Sequence, residues 1–123
     1  MNKTLTLENV IHALGGRIGT LVGQASEVSQ VVVDSRLARP GSLFVALRGE
    51  QADGHLYVAD AMGRGAIAAV VERAAGCTSV LDLRDRDRAA DELGPLPVCL
   101  LVEDSLAALQ QLAEREINEL LLE

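Results

Sequence analysis

A chain of 123 residues, 49% hydrophobic and 24% charged, has the length of one domain and the composition of an ordinary folded one. Its net charge of −7 and aromatic content of 2% argue against a nucleic-acid partner, which calls for a basic footprint and stacking rings. No apolar run approaches the roughly 18 residues of a membrane span and no secretory pattern follows Met1, so a cytoplasmic domain with no membrane partner is expected.

Leu7, Val10, Ile11 and Leu14 recur at helical spacing and predict a helix over 6–14, with Thr6 as N-cap and Gly15-Gly16 as the stop. His12 lies off that stripe and reads as a solvated helix residue. Ile18–Val22 reads as a short edge strand. Gln30–Asp34 is a β-branched run, hence a strand, broken at Asp34-Ser35, whose side chains can bond nearby backbone N–H groups. Arg39-Pro40-Gly41-Ser42 suits a type II turn. Leu43–Leu47, apolar throughout, predicts a strand buried on both faces.

Gly49–Gly54 reads as a loop, and 55–63 as a helix with Val58, Ala59 and Met62 on one side. Ile67–Val71 is a further buried strand. Cys77–Leu83 is a strand or a continued loop. The alternating charges from Arg84 to Arg88 form a solvated face. Val98–Val102 is a strand, and Asp104 caps a last helix running to the chain end, with Leu106, Leu109, Ala113, Ile117 and Leu120 along one side and Leu112 and Leu121 beside them. The order implies a small layered α/β domain, a mixed sheet of about five strands flanked by helices. Cys77 and Cys99 lack metal spacing and read as buried thiols.

Absences narrow the chemistry. There is no GxxxxGK[ST] loop, and Lys3 is the only lysine. No HExxH, Cys/His metal set or nucleophile elbow occurs. A self-sufficient enzyme is not expected.

Residues 33–55 concentrate what remains. Between Val33 and Gly49 three arginines (Arg36, Arg39, Arg48) face one aspartate (Asp34), a local balance of +2 in an acidic chain. The Gln51 amide can donate and accept at once, matching the edge of a flat uracil. The Ser35 hydroxyl and the backbone at Val33 and Ala52 add polar groups, and Arg36 or Arg48 could meet a diphosphate. The same residues also suit a plain solvated loop.

Asp34-Ser35-Arg36, Pro40-Gly41, Leu43-Phe44-Val45-Ala46, Gly49, Gln51-Ala52-Asp53-Gly54-His55, Gly65-Ala66, Leu96-Pro97-Val98 and Val102-Glu103-Asp104-Ser105 together resemble the N-terminal domain of the Mur ligases over about 28–113. Asp53-Gly54-His55 resembles the MurE type, which adds the third amino acid of the peptidoglycan stem. The resemblance implies a single UDP-binding domain over 1–123, without the family's ATP-binding central and C-terminal domains. It implies that Val33 and Ser35 meet the uridine of a UDP-MurNAc-peptide, with Glu50, Gln51 and Ala52 as the other wall. Glu50 departs from the basic residue or His common there. Arg36, Arg48 and His55 are further candidates, His55 chiefly as the residue that orients the following helix. No cofactor is implied in this chain. ATP and magnesium, like the peptide-joining chemistry, fall to the parent ligase and its other domains, which are the implied partners. The rival expectation is a free-standing protein-interaction domain that has lost nucleotide binding and docks through the apolar end of the last helix.

Overall fold

Val31, Leu43, Val45, Ala68, Val70, Val98 and Leu100 turn to one side of a sheet, and Val32, Phe44, Ala69, Val71, Cys99 and Leu101 to the other. That alternation, with both faces apolar, is what a sheet covered by helices on each side requires. The computed structural model describes residues 5–15, 27–74, 79–84, 96–115 and 121–122. The strands are β1 (Gln30–Val32), β2 (Ser42–Val45), β3 (Ala68–Val71), β4 (Val80–Asp82), β5 (Val98–Leu101) and β6 (Leu121–Leu122). The helices are α1 (Leu7–Ala13), α2 (Val58–Gly63) and α3 (Ser105–Arg115), with short 3₁₀ turns at Ser35–Leu37 and Gly54–Tyr57.

The sheet order is β4-β5-β3-β2-β1-β6. The layered α/β arrangement agrees with expectation, but every strand pairing is parallel where a mixed sheet was expected. The reason lies in the connections. Helices or turns laid across a sheet face return the chain to the same end each time, which forces parallel neighbours. Among the described residues, antiparallel pairing is confined to two isolated bridges, Thr6–Glu27 and Arg48–Asp53.

Helix α1 forms as its stripe requires. The Thr6 hydroxyl accepts from the Asn9 amide at 3.2 Å, and Leu7, Val10 and Ile11 are buried. It packs beside α3 over the first face. Helix α2 and the Ser35–Leu37 turn cover the second. The Asp104 carboxylate caps α3 by accepting from the Ala107 amide at 3.1 Å. The turn at 39–42 is as expected, with Gly41 at φ 87° and the Ser42 amide bonded to the Arg39 carbonyl at 3.0 Å. Gly65 follows α2 at φ 109° and abuts that turn, so closely that a Cβ would lie 2.7 Å from the Pro40 Cα. Only glycine fits there.

Four expectations are corrected. The helix expected over 55–63 is a 3₁₀ turn followed by α2, which buries Val58 and Ala61 and leaves Ala59 exposed. On α3 the stripe is centred on Ala108 and Leu112, with Leu109 and Ala113 partly buried against the core as expected, whereas Leu106 is 52% exposed. Helix does not run to the chain end, because Leu121–Leu122 pair with Val31–Val32 as a strand. Cys99 is fully buried but disulfide-bonded, not a thiol. The strand expected at 18–22, the charges from Asp85 to Arg88, and Ile117 and Leu120 lie outside the described residues.

Candidate functional site

Strands β1 and β2 lie side by side in parallel, so their carboxyl ends open onto one rim, where ligands of open α/β sheets bind. After β1, the Asp34 carboxylate accepts from the Arg36 amide at 2.9 Å and so starts the Ser35–Leu37 turn, the role expected of it. The Arg36 guanidinium folds back on the same carboxylate, Nη2 to Oδ2 at 2.7 Å and Nε to Oδ1 at 3.0 Å. That side-chain pair, with the amide bond second, holds the Asp34 carboxyl down at about 2. Ser35 is buried beside Asp60 on α2, and its side chain is the largest cause of the lowered Asp60 carboxyl. Arg64 pairs with the same carboxylate at 3.1 Å.

The facing wall follows β2. The Gly49 amide bonds to the Ala52 carbonyl at 2.8 Å and the Gly54 amide to the Leu47 carbonyl at 2.8 Å, folding 47–54 into a tight hairpin-like loop. A Cβ on Gly54 would come within 2.8 Å of the Leu47 amide nitrogen, so the loop closes only around a glycine. Asp53 anchors the loop. Its Oδ1 accepts from the His55 amide at 3.0 Å and meets the His55 Nδ1 at 2.7 Å, while Oδ2 takes the Arg73 guanidinium at 2.8 Å. The Arg73 bond, then the His55 amide, hold the Asp53 carboxyl well below the usual carboxylate range. The His55 Nε2 accepts from the Glu72 amide at 2.8 Å, so the ring carries its proton on Nδ1. The Glu72 carboxylate pairs with Arg48 at 3.0 Å and accepts from the Ser105 amide at the start of α3 at 2.9 Å.

Between these walls lies an open cavity of about 650 Å³. Of the sequence-predicted residues, Val33, Ser35, Arg36 and Ala52 line it. Glu50 and Gln51 are exposed on the loop and outside its lining. Arg48 and His55 are also outside it, held in the Asp53–Glu72 network. Sequence reasoning missed Tyr57 and Asp60 on one side and Phe44 and Leu47 beneath. The available signal was the close three-residue spacing of Tyr57 and Asp60 after the Gly54 turn. Among the described residues no group of three His, Cys, Asp or Glu side chains could hold a metal ion, and no helix is long and apolar enough to cross a membrane.

The lowered carboxyls set an acid limit. Asp34 and Asp53 ionise at lower pH folded than unfolded, so their pairs stabilise fully above the unfolded value near 4 and are lost as pH falls through the folded values. The melting temperature is expected to fall steeply from about pH 4 towards pH 2. Asp53→Asn should flatten that fall, and an unchanged profile in this variant would remove Asp53 from the account.

These features define an all-parallel α/β domain with a ligand-sized cavity at the carboxyl rim of its central strands. The sequence model for the Mur ligase family, catalytic domain, matches residues 27–116, and the chain belongs to the Mur ligase family. It is 34% identical over 115 residues to the UDP-N-acetylmuramoyl-tripeptide–D-alanyl-D-alanine ligase of Synechocystis sp., covering 92% of this chain and 22% of that protein. It is 41% identical over 69 residues to the UDP-N-acetylmuramoyl-L-alanyl-D-glutamate–2,6-diaminopimelate ligase of Phocaeicola vulgatus, covering 55% of this chain and 14% of that protein. MurF from Acinetobacter baumannii superposes with a TM-score of 0.60 at 27% identity, over 90% of this chain and 20% of that one. The chain thus spans less than a quarter of the length of each of these relatives.

Proposed function

We propose that this chain is the UDP-binding N-terminal domain of a MurE-like peptidoglycan ligase, holding the nucleotide end of a UDP-MurNAc-peptide. The observation that carries the reading is the 650 Å³ cavity between the Asp34–Arg36 turn and the 47–54 loop, in a chain of this family. Its volume suits a nucleoside-sized ligand. Val33, Ser35 and Ala52 line it, and Glu50 and Gln51 lie exposed on the same 47–54 loop. The domain acts by positioning. Binding energy from the remote nucleotide holds the peptide carboxylate where the chemistry occurs, with no reacting group supplied here.

ATP and magnesium belong, on this reading, to the parent's central and C-terminal domains. This chain's own residues do not fit them, since its only lysine is Lys3 and it has no phosphate loop. The rival reading, a protein-docking domain, invoked the apolar end of the last helix, but Leu121–Leu122 pair with β1 as a strand.

Calorimetric titration with UDP and UDP-MurNAc-dipeptide, with ADP as control, tests the proposal. The uridine ligands are expected to bind and ADP to bind far more weakly. No heat from UDP at millimolar concentration would sink the reading.

A further inference from the structure

We propose that Tyr57 is the stacking platform of the cavity, the surface on which the flat base of the bound nucleotide lies. This rests on the reading of the cavity as a UDP site. The charged side chains along the cavity are already paired within the chain. Asp34 is paired bidentately with Arg36, and Asp60 with Arg64. What the cavity leaves unused is apolar surface. Phe44 floors the cavity but at 1% exposure presents no ring face for a base to stack on, whereas Tyr57 stands in the wall at 46% exposure. It is the cavity's only accessible aromatic ring.

The ring is also well anchored. Tyr57 ends the 3₁₀ turn Gly54–Tyr57, whose start is capped by Asp53 and clamped through His55 to the Glu72 amide. The next residue, Val58, is buried at 1% and begins α2. A platform fixed at both ends loses little entropy when a ligand settles on it. A half-exposed aromatic face beside a concave apolar lining is the arrangement a planar base covers best. Stacking accepts any base, since each has a π-face, so Tyr57 supplies affinity while hydrogen-bonding groups around the base set its identity.

The chain has one tyrosine and no tryptophan, so its intrinsic emission reports on Tyr57 alone. The test titrates the whole chain with UDP and with ribose 5-phosphate, following heat and absorbance-corrected emission together. UDP is expected to quench the emission with the dissociation constant seen by calorimetry, and ribose 5-phosphate to leave it unchanged. Tyr57→Phe should bind uridine within about threefold of the parent chain, and Tyr57→Leu roughly tenfold or more weakly. UDP that binds by heat without quenching overturns the platform and leaves the proposed function standing. So does a Tyr57→Leu chain that binds uridine as the parent does. Absence of any UDP binding overturns the proposed function itself. The emission arm needs no variant, so a substitution that unfolds the chain does not blunt the test.

Discussion

Phe44→Ala is expected to lower the unfolding free energy by about 3–5 kcal/mol, a large share of the stability of a domain this size. Phe44 is the only phenylalanine and stands in the middle of β2, between Val32 on β1 and Ala69 on β3. The cluster around it on that face is rich in small residues, Ala38, Ala46, Ala61, Ala66 and Ala69, beside Val32, Val58, Val71 and Leu101. Alanines cannot swing in to fill a vacated ring, so the void persists and its cost adds to the lost transfer energy. The same ring floors the cavity, so truncation should also deepen it and weaken UDP. Phe44→Leu separates the two effects. It keeps most of the volume and should cost about 1–1.5 kcal/mol. Chemical denaturation checks both, and a loss below about 1 kcal/mol for Phe44→Ala would contradict the packing account.

The second large effect belongs to His55→Ala, expected to cost about 2–4 kcal/mol. The imidazole is wholly buried and joins two segments, Nδ1–H to the Asp53 carboxylate and Nε2 from the Glu72 amide. Alanine leaves the Glu72 amide without its acceptor and frees the loop from the end of β3. His55→Gln can return an oxygen to the Nε2 position and should recover part of the loss. His55→Asn reaches only as far as Nδ1 and should keep Asp53 but not Glu72. Hydrogen exchange at the Glu72 amide distinguishes them, with protection lost in His55→Ala and His55→Asn and retained in His55→Gln. Equal protection in all three would remove His55 from the network.

Local signals account for what was legible in the sequence. Thr6, Asp34 and Asp104 cap the elements they precede, and the β-branched and apolar runs at 30–34, 43–47, 67–71 and 98–102 each contain a strand. What escaped depends on partners distant in the chain. The helix expected to run through Leu121 ignored β1, whose free side takes that backbone as β6. Parallel pairing follows from connections crossing a face, which no single run of residues reveals. The Val58–Met62 register shifted because a 3₁₀ turn, not an α-turn, precedes it, and that also placed Tyr57 in the cavity wall. In the candidate site, the Asp34-Ser35-Arg36 signature pointed to a lining segment, but Gln51 lies exposed on the loop and outside the lining.

The short pairing of β6 with β1 bears on self-association. Strand β1 has β2 on one side and β6 on the other. Without Leu121–Leu122, the Gln30–Val32 segment would become an outermost strand, two adjacent valines with a row of open amide and carbonyl groups, the template on which chains add to one another. Two residues of backbone therefore act as a guard strip. Because Leu121 must find Val31 across about 90 residues of sequence, the guard is expected to be among the last pairings to close during folding, and an open edge in that interval is where chains would associate.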